Sequence, residues 1–294
     1  MAVKSDRGFS IREIADALSA IGIALGDVVY VHSALHKLGP ARDMNSREAF
    51  LDMFLNAFRS ALGPKGTLVV PTFTTQVMRY GVDYVHEETP SMMGIFSEHV
   101  RRQPDSIRRL HPTASFAAIG PRGRYICENV TFRDAGLNSP YERMIDLGAK
   151  IVSLGAGKIF VVSLVHHLEG MYGPPHIYNK LLTCRVFKDG QEIKLPFILG
   201  ARHLHLNIRY DLTRFADAVA AEGGIKNASL GRGQIYRSDM AQVFQIGSEM
   251  VRKDWFAFLE APPEFTPGVI PSDGFTAMEE DLAAVPANFI GYYL

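Results

Sequence analysis

Near the start of the chain, hydrophobic residues recur at helical spacing, give way to a short apolar run, and then return to helical spacing. Ser10 and Glu13 form a capping pair ahead of apolar residues at this spacing, so a helix is predicted from there to Gly22. A second helix is predicted from a cap at Ser46 to Leu62, where the sequence Gly-Pro-Lys-Gly favours a turn.

Short runs of β-branched and other apolar residues predict buried strands at 28–31, 67–70, 115–119 and 150–154. The first two runs flank the second helix, and a strand–helix–strand unit with short loops favours a right-handed crossover in a parallel sheet. The predicted fold class is therefore α/β, with helices layered on both sides of a mixed, mostly parallel sheet.

The second half of the chain has a different pattern, which predicts an elaborated C-terminal half. Residues 180–188 and 191–195 flank Asp189-Gly190, a strong signal for a β-hairpin. Two late helices are predicted, at roughly 211–221 and 239–259. Because no linker rich in Ser, Gly or Pro divides the chain, residues 1–294 are expected to form a single α/β domain. A subdomain boundary near 175–180 is the alternative.

Composition and charge narrow the classes of protein. The chain has 294 residues with 31 basic and 31 acidic side chains, so its formal net charge is zero, and 47% of its residues are hydrophobic. That apolar share argues against a disordered chain, and the balanced charge argues against nucleic acid as a partner. No apolar run approaches the ~20 residues of a membrane span, and Met1 is not followed by the apolar segment of a signal peptide. A soluble cytoplasmic protein without a membrane partner is expected.

Small and hydroxyl-bearing residues follow several of the predicted strands. The segments are 32–35 (HSAL), 71–74 (PTFT) and the region after Gly155. Ligands of α/β proteins collect at the carboxyl ends of the strands, where backbone N–H groups can face an anion. These segments are therefore candidate ligand-binding loops, with simple turns as the alternative.

The densest group of chemically useful side chains consists of Ser163, His166, Glu169 and His176. On a helix, His166 and Glu169 would share one face, and an imidazole held by a carboxylate is a suitable general base near neutral pH. Three other interpretations stay open: a structural hydrogen bond, metal binding by His166, Glu169 and His176, and a Ser-His-Glu hydrolase. The spacing matches no common metal-binding motif, and no Gly-x-Ser-x-Gly turn surrounds Ser163.

A second candidate site lies around His111, which precedes a proline. The residue before proline is driven to extended geometry, so His111 is placed in the non-helical entry to the strand at 115–119. A structural role and a role at the site are both open. Two nearby basic pairs, Arg101-Arg102 and Arg108-Arg109, are either a solvated surface or an anion site.

Several of these segments occur in the same order in a known family. The motifs are GDVVYVHSAL at 26–35, GPKGTLVVPTFT at 63–74, HPTASFAAIG at 111–120 and LGAG at 154–157. Together with the pattern Ser163-x-x-His166-x-x-Glu169, they resemble the aminoglycoside 3-N-acetyltransferases. The likeness extends over most of residues 10–260 and rests on no single motif.

The resemblance implies an acyl-CoA-dependent N-acyltransferase that acts on an amine of an amino sugar. Acetyl-CoA or another acyl-CoA would be the co-substrate, and no metal would be required. His166 would be the general base, Glu169 would orient it, and Ser163 would lie near the thioester or the acceptor. By the same resemblance, the coenzyme A site would include Ser33, Ala34, Leu35, Pro71 and Thr72. Two further residues would lie on the substrate side, His111 and Thr74.

The sequence departs from this family beside the expected acceptor pocket. Residues 158–162 (KIFVV) replace shorter and more polar segments, Ser163 replaces the more usual threonine, and residues 170–175 are rich in Gly and Pro. A polycationic antibiotic would favour an acidic pocket, whereas this chain is neutral with basic clusters near Arg101 and Arg108. Two acceptors stay open, an aminoglycoside and an amino-sugar nucleotide, and these departures favour the second.

Two further questions stay open. A non-catalytic protein that binds coenzyme A or another ligand is the alternative from a different class, and the intact pair of His166 and Glu169 argues against it. The apolar stretch at 282–294 is expected to pack either on the core or on a second subunit, which leaves a homodimer open.

Overall fold

The structure is a computed structural model that describes residues 8–42, 44–203, 206 and 208–265. Strands in these ranges are β1 (Val28–Ser33), β2 (Thr67–Pro71), β3 (Tyr84–Val85), β4 (Ile107–Arg108), β5 (Phe116–Ile119), β6 (Lys150–Leu154), β7 (Ile177–Leu181), β8 (Val186–Lys188), β9 (Gln191–Glu192), β10 (Ile198–Arg202), β11 (Lys226–Leu230) and β12 (Gly233–Asp239). Helices in the same ranges are α1 (Ile11–Ala20), α2 (Arg47–Leu62), α3 (Thr75–Tyr80), α4 (Ile95–Arg101), α5 (Gly123–Cys127), α6 (Pro140–Asp146), α7 (Val165–Tyr172), α8 (Thr213–Ala221) and α9 (Met240–Lys253). Two short 3-10 helices cover Leu35–Leu38 and Lys158–Val162.

A mixed sheet forms the centre of the fold. Seven of the described strands build it, in the order β11-β12-β6-β1-β2-β5-β4. The middle of the sheet is parallel, because β1 pairs in parallel with both β6 and β2. The flanking strands are antiparallel, with β12 running along β6 and β5 along β2. The predicted α/β class and the strands β1, β2, β5 and β6 are confirmed, whereas β11, β12 and the direction of β5 are not predicted from the sequence.

Successive residues of the central strands face two separate hydrophobic cores. Val29 and Val31 of β1 pack with α1, α2 and α4, while Val28 and Tyr30 pack on the other side with helices α5 to α9. Burial on both faces explains why these strands are continuous apolar runs rather than alternating ones. The predicted layering of helices on both faces of the sheet is confirmed.

The first two helices begin where their caps predict. The Ser10 hydroxyl accepts from the Glu13 N–H at 3.3 Å, and the Glu13 carboxylate accepts from the Ser10 N–H at 2.9 Å, which is a complete capping box. The Ser46 hydroxyl accepts from the Ala49 N–H at 3.0 Å at the start of α2.

The second half adds two small sheets to the central one. β8 and β9 form a hairpin around Asp189 and Gly190, both at positive φ, but its arms are shorter than the predicted 180–188 and 191–195, and residues 180–181 belong to β7. β7 pairs with β10 in a separate antiparallel pair. The two predicted late helices correspond to α8 and α9, but α9 ends at Lys253 rather than at 259. The carboxylate of Asp254 accepts from the Phe256 N–H at 2.9 Å, a local turn that competes with the helix.

Within the described ranges, no helix combines the length and the apolar character that a membrane crossing requires. The apolar stretch at 282–294 lies outside the described residues, so its packing on the core or on a second subunit stays a prediction. The single domain over 1–294 and the boundary near 175–180 also stay predictions.

Candidate active site

Helix α7 carries the His166–Glu169 pair that the sequence predicts. Val165 and Leu168 anchor the helix in the core, with 5% and 0% of their surface exposed, whereas the His166 side chain is 52% exposed. The spacing of three residues places Glu169 beside His166, and Nδ1 of His166 donates to Oε2 of Glu169 over 2.9 Å. Helical geometry therefore builds this pair locally.

Glu169 is buried and bound by three donors. Its Oε1 accepts from the Tyr210 hydroxyl at 2.6 Å and from His176 Nε2 at 3.1 Å, while Oε2 accepts from His166. Burial raises the pKa of a carboxyl group, but the hydrogen bonds from His166, His176 and Tyr210 outweigh it and lower the pKa of Glu169 to about 2. Glu169 is therefore ionised near neutral pH.

The ionised Glu169 makes His166 more basic. Partial burial lowers the pKa of His166, but the hydrogen bond and the negative charge of Glu169 raise it, and the net shift is upward. Asp134 adds to the rise, and Arg202 opposes it. Because Nδ1 is bound to Glu169, the neutral imidazole has its lone pair on Nε2, on a half-exposed ring that can accept a proton from a bound amine.

Ser163 contacts a histidine that the sequence does not single out. Its Oγ lies 2.7 Å from Nε2 of His32 in β1, across 131 positions of the chain. The contact arises because β1 pairs with β6, and a short 3-10 helix after β6 leads to Ser163 just before α7. The Ser163 hydroxyl is thus engaged by His32, whereas the hydrolase hypothesis requires a bond to His166.

His32 is a neutral partner for Ser163. Its ring lies edge-on to Tyr30 at 4.7 Å between centroids and tilted against Phe160 at 5.5 Å. Burial lowers the pKa of His32 to about 4, so the ring is uncharged near neutral pH. The segment 32–35 is found by its position after a strand, but the role of the His32 ring depends on a contact that only the fold creates.

The segments expected to bind coenzyme A lie at the carboxyl ends of neighbouring strands. Ser33, the last residue of β1, and Ala34 after it are partly buried small residues, and Leu35 is buried. A Cβ at Gly155 would lie 2.8 Å from the Ala34 carbonyl oxygen, so the loops after β1 and β6 are in close contact. Gly157 has a φ of +104°, and a Cβ there would meet nothing within 4 Å. Accessible backbone therefore lies six residues before Ser163, and contacts of Ser33, Ala34 and Leu35 with coenzyme A stay predictions.

Two buried threonines fix the loop after β2 through hydrogen bonds within the protein. Thr72 and Thr74 are both 0% exposed. The Thr72 hydroxyl lies 2.8 Å from Ser115 Oγ, and the Thr74 hydroxyl donates to the Pro112 carbonyl at 2.7 Å. Contacts of Pro71, Thr72 and Thr74 with a ligand stay predictions, and the two hydroxyls are already engaged within the protein.

His111 is likewise buried and hydrogen-bonded to backbone groups of the protein. Its ring is 0% exposed, Nδ1 accepts from the Ala114 N–H at 3.0 Å, and Nε2 faces the Ile198 carbonyl at 3.4 Å. Burial and the charge of Arg109 hold the pKa of His111 well below its usual range. The extended geometry predicted before Pro112 agrees with its position outside any helix. Substrate contact by His111 stays a prediction, and its burial favours a structural role.

A buried arginine supports the loop beside His166. Arg109 is 0% exposed and donates to the backbone carbonyls of Ala114, Thr131, Arg133 and Asp134. The expectation of a solvated or anion-binding surface at this residue is wrong, because backbone oxygens of the core have taken the place of water. The same loop carries Asp134, which is 8% exposed and acts electrostatically on His166. No local motif in the sequence marks Asp134 or Tyr210.

Among the residues that the structure describes, no group of three or more His, Cys, Asp or Glu side chains could hold a metal ion. His166 and His176 instead bind different oxygens of the same carboxylate, that of Glu169.

Comparison with known protein families gives a match over most of the chain. The model of the family described as aminoglycoside 3-N-acetyltransferase matches residues 30–252. Aminoglycoside N(3)-acetyltransferase VII of Streptomyces paromomycinus is 26% identical over 191 residues, which are 58% of this chain and 64% of that protein. Aminoglycoside N(3)-acetyltransferase III of Salmonella sp is 28% identical over 230 residues, which are 72% of this chain and 75% of that protein. The match thus spans less than two thirds of the Streptomyces protein.

Solved structures share the fold. The apoenzyme of aminoglycoside acetyltransferase AAC(3)-IVa superposes with a TM-score of 0.71 at 22% identity, covering 87% of this chain and 93% of that one. The binary complex of AAC-IIIb with CoASH gives a TM-score of 0.71 at 20% identity, covering 86% of this chain and 99% of that one. At this level of identity, the likeness establishes the architecture.

Proposed function

Because this chain belongs to the aminoglycoside 3-N-acetyltransferase family, we propose that it transfers an acetyl or other short acyl group from coenzyme A to an amine of an amino sugar. The observation that carries the proposal is the His166–Glu169 pair, in which a buried ionised carboxylate holds a half-exposed imidazole. A protein that only binds coenzyme A has no need of a base polarised in this way.

His166 acts as the general base. The lone pair on Nε2 takes a proton from the acceptor nitrogen, while the Nδ1–H keeps its hydrogen bond to the Glu169 carboxylate. Positive charge therefore develops on the imidazole next to the carboxylate. The acceptor is a neutral amine, and its proton leaves as the nitrogen forms its bond to the thioester carbonyl carbon; the tetrahedral adduct then collapses and the carbon–sulfur bond breaks. The proton held on His166 passes to the leaving thiolate, which regenerates the neutral base.

Ser163 stabilises the negative charge that develops on the carbonyl oxygen. If neutral His32 donates through Nε2 to Ser163 Oγ, the hydroxyl proton is free to point at that oxygen. The low pKa of His32, about 4, keeps this pair from exchanging a proton with the reacting groups. Ser33 and Ala34 line the thioester approach at the end of β1, with Leu35 buried after them, and the loop with Pro71 and Thr72 lies at the end of the adjacent strand.

Two acceptors are consistent with this chemistry. The names of the relatives favour an aminoglycoside. The zero net charge of the chain and the departures at 158–162 favour an amino-sugar nucleotide, whose diphosphate is negative. An assay of thiol release from acetyl-CoA over a panel of aminoglycosides and amino-sugar nucleotides distinguishes them.

The same assay tests the base. We expect His166→Ala to lower kcat by roughly 10²–10⁴-fold, which is the usual contribution of general base catalysis, with the KM for acetyl-CoA little changed. His99→Ala on α4 serves as the control, since it removes an imidazole whose partner is Asp52 rather than Glu169. Full activity of His166→Ala with every amine would disprove the role of the base, and a protein that bound no coenzyme A in calorimetry would disprove the proposed reaction.

A further inference from the structure

The contacts of Glu169 extend beyond the pair that the proposed reaction uses. We propose that Tyr210 and His176 are positioning residues, which hold the Glu169 carboxylate so that only one of its oxygens faces His166 and thereby set the orientation and basicity of that imidazole. The inference rests on the proposed function, because it assumes that His166 is the base.

The two oxygens of Glu169 have different partners. Oε2 faces His166 Nδ1 at 2.9 Å, and Oε1 receives the Tyr210 hydroxyl at 2.6 Å and His176 Nε2 at 3.1 Å. The side chains of Glu169 and His176 are only 5% and 2% exposed, so water does not compete for these contacts. A carboxylate with one free oxygen could rotate about its last bond, but two donors on Oε1 oppose that rotation.

Tyr210 touches both members of the catalytic pair. Its hydroxyl binds Glu169, and its ring stands edge-on to the His166 ring, with centroids 5.7 Å apart and planes at 89°. An isolated bridge to Leu259 fixes its backbone, and the Arg202 guanidinium lies 5.5 Å above its ring. Tyr210 is therefore held in place by elements other than α7, as a positioning residue must be.

His176 is held independently of Tyr210. Its carbonyl accepts from the His203 N–H at 3.3 Å, and its ring packs against Phe256 at 5.8 Å between centroids. Donation through Nε2 to Glu169 leaves Nδ1 buried, with no hydrogen-bond partner in the described part of the chain. Because a buried polar atom without a partner is costly, this geometry indicates that the bond to Glu169 determines where the ring lies.

The charged groups around His166 determine the sign of the expected effect. Glu169 on α7 and Asp134 on the loop before α6 raise the pKa of His166, while Arg202 at the end of β10 lowers it. Each hydrogen bond donated to Glu169 partly neutralises the negative charge that also stabilises protonated His166. Removing a donor from Oε1 therefore leaves more of that charge for His166 and raises its pKa further.

The test compares Tyr210→Phe, His176→Leu and His176→Gln with the full-length wild type. Tyr210→Phe keeps the ring and removes only the hydroxyl. His176→Gln retains an N–H near the position of Nε2 and serves as the rescue variant, whereas His176→Leu has none. Tyr125→Phe is the matched control, because Tyr125 is 47% exposed on α5 and contacts Arg143 rather than Glu169. Titration of His166 followed by histidine ¹⁵N NMR, together with kcat and KM for acetyl-CoA, gives the readout.

We expect Tyr210→Phe and His176→Leu to lower kcat about tenfold or more, to leave the KM for acetyl-CoA unchanged, and to move the titration of His166 to higher pH. His176→Gln and Tyr125→Phe should stay close to wild type. If Tyr210→Phe, which preserves the packing, leaves both kcat and the titration unchanged, the inference is wrong, whatever His176→Leu does to folding. If the titration moves but His166→Ala remains fully active, the positioning role stands and the proposed function fails.

Discussion

Glu169 remains ionised although almost no water reaches it, because hydrogen-bond donors have replaced its hydration. A buried carboxylate without partners would hold a proton at neutral pH and could not polarise a neighbouring imidazole. Here three hydrogen bonds reverse that tendency and lower the pKa of Glu169 to about 2. The negative charge is thus available next to His166 over the whole physiological range of pH.

We expect Glu169→Gln to move the acid limb of the pH profile of kcat/KM to lower pH. In the wild type the hydrogen bond and charge of Glu169 raise the pKa of His166, so a neutral amide at this position lets that pKa fall. A less basic His166 is deprotonated further into the acid range, but it removes a proton less readily, and kcat at neutral pH should fall about 10²-fold. The pH dependence of thiol release measures both effects.

The control for that variant is Glu249→Gln, which makes the same replacement of a carboxylate by an amide at an exposed position of α9. An acid limb that stays in place in Glu169→Gln would show that the titrating group is not His166. A limb that moves to higher pH would contradict the sign of the interaction.

At the scale of secondary structure, elements with a local signal could be predicted, and elements defined by distant partners could not. The caps Ser10 and Ser46 and the buried apolar runs mark α1, α2, β1 and β2, because cap geometry and burial on two faces leave a local pattern. β11 is an edge strand of largely exposed residues, and its pairing with β12 leaves no apolar run. The direction of β5 depends on which strand it joins.

The candidate site likewise contains one contact that a local pattern predicts and others that depend on distant partners. His166 and Glu169 are three residues apart on one helix, so their spacing alone predicts the contact. The contact between His32 and Ser163 spans 131 positions, and Tyr210 reaches Glu169 across 41. Such contacts are created by the order of strands in the sheet and the return of the chain, and a single sequence does not contain that information locally.

The packing of α9 against α7 makes Gly247 a sensitive position. Glycine-to-alanine changes inside helices ordinarily stabilise a protein by about 1 kcal/mol. A Cβ at Gly247, however, would lie 2.4 Å from Leu168 Cδ1 and 2.8 Å from Phe215 Cζ, and both of those side chains are fully buried. We expect Gly247→Ala to be destabilising by about 1–3 kcal/mol and to lower kcat, because Leu168 shares α7 with the proposed base His166 and its partner Glu169. Urea unfolding and the thiol-release assay measure the two effects.

Gln245→Ala provides the comparison, since it changes an exposed position of the same helix and should be neutral or slightly stabilising. Equal or greater stability of Gly247→Ala would mean that α7 and α9 can move apart at little cost, and the proposed link between their packing and the site would be wrong.

For the molecule as a whole, zero net charge coexists with several uncharged histidines that are buried or partly buried. Burial lowers the pKa of three of them to about 4 and holds a fourth well below its usual range; they are His32, His86, His167 and His111. In the unfolded chain a histidine has a pKa of about 6.5. Between these two values the unfolded state binds protons that the folded state excludes, so acid favours unfolding well before most carboxylates titrate.

We therefore expect the free energy of unfolding to decrease as the pH falls from about 6.5 towards 4, by up to about 1 kcal/mol per pH unit for each of these histidines. His166 acts in the opposite direction, since its raised pKa means that it contributes stability below its unfolded value and loses that contribution as the pH rises through the folded one. Because four groups oppose one, the net trend is a loss of stability in acid.

His167→Phe removes one of the four histidines from a pocket lined by Tyr141 and Phe244, and it should reduce the slope of the unfolding free energy against pH by about one proton. His36→Gln, which removes an imidazole at an exposed position, serves as the matched control. Urea unfolding at a series of pH values between 7.5 and 4.5 measures these slopes, and equal slopes for wild type and His167→Phe would refute the assignment of this acid sensitivity to buried histidines.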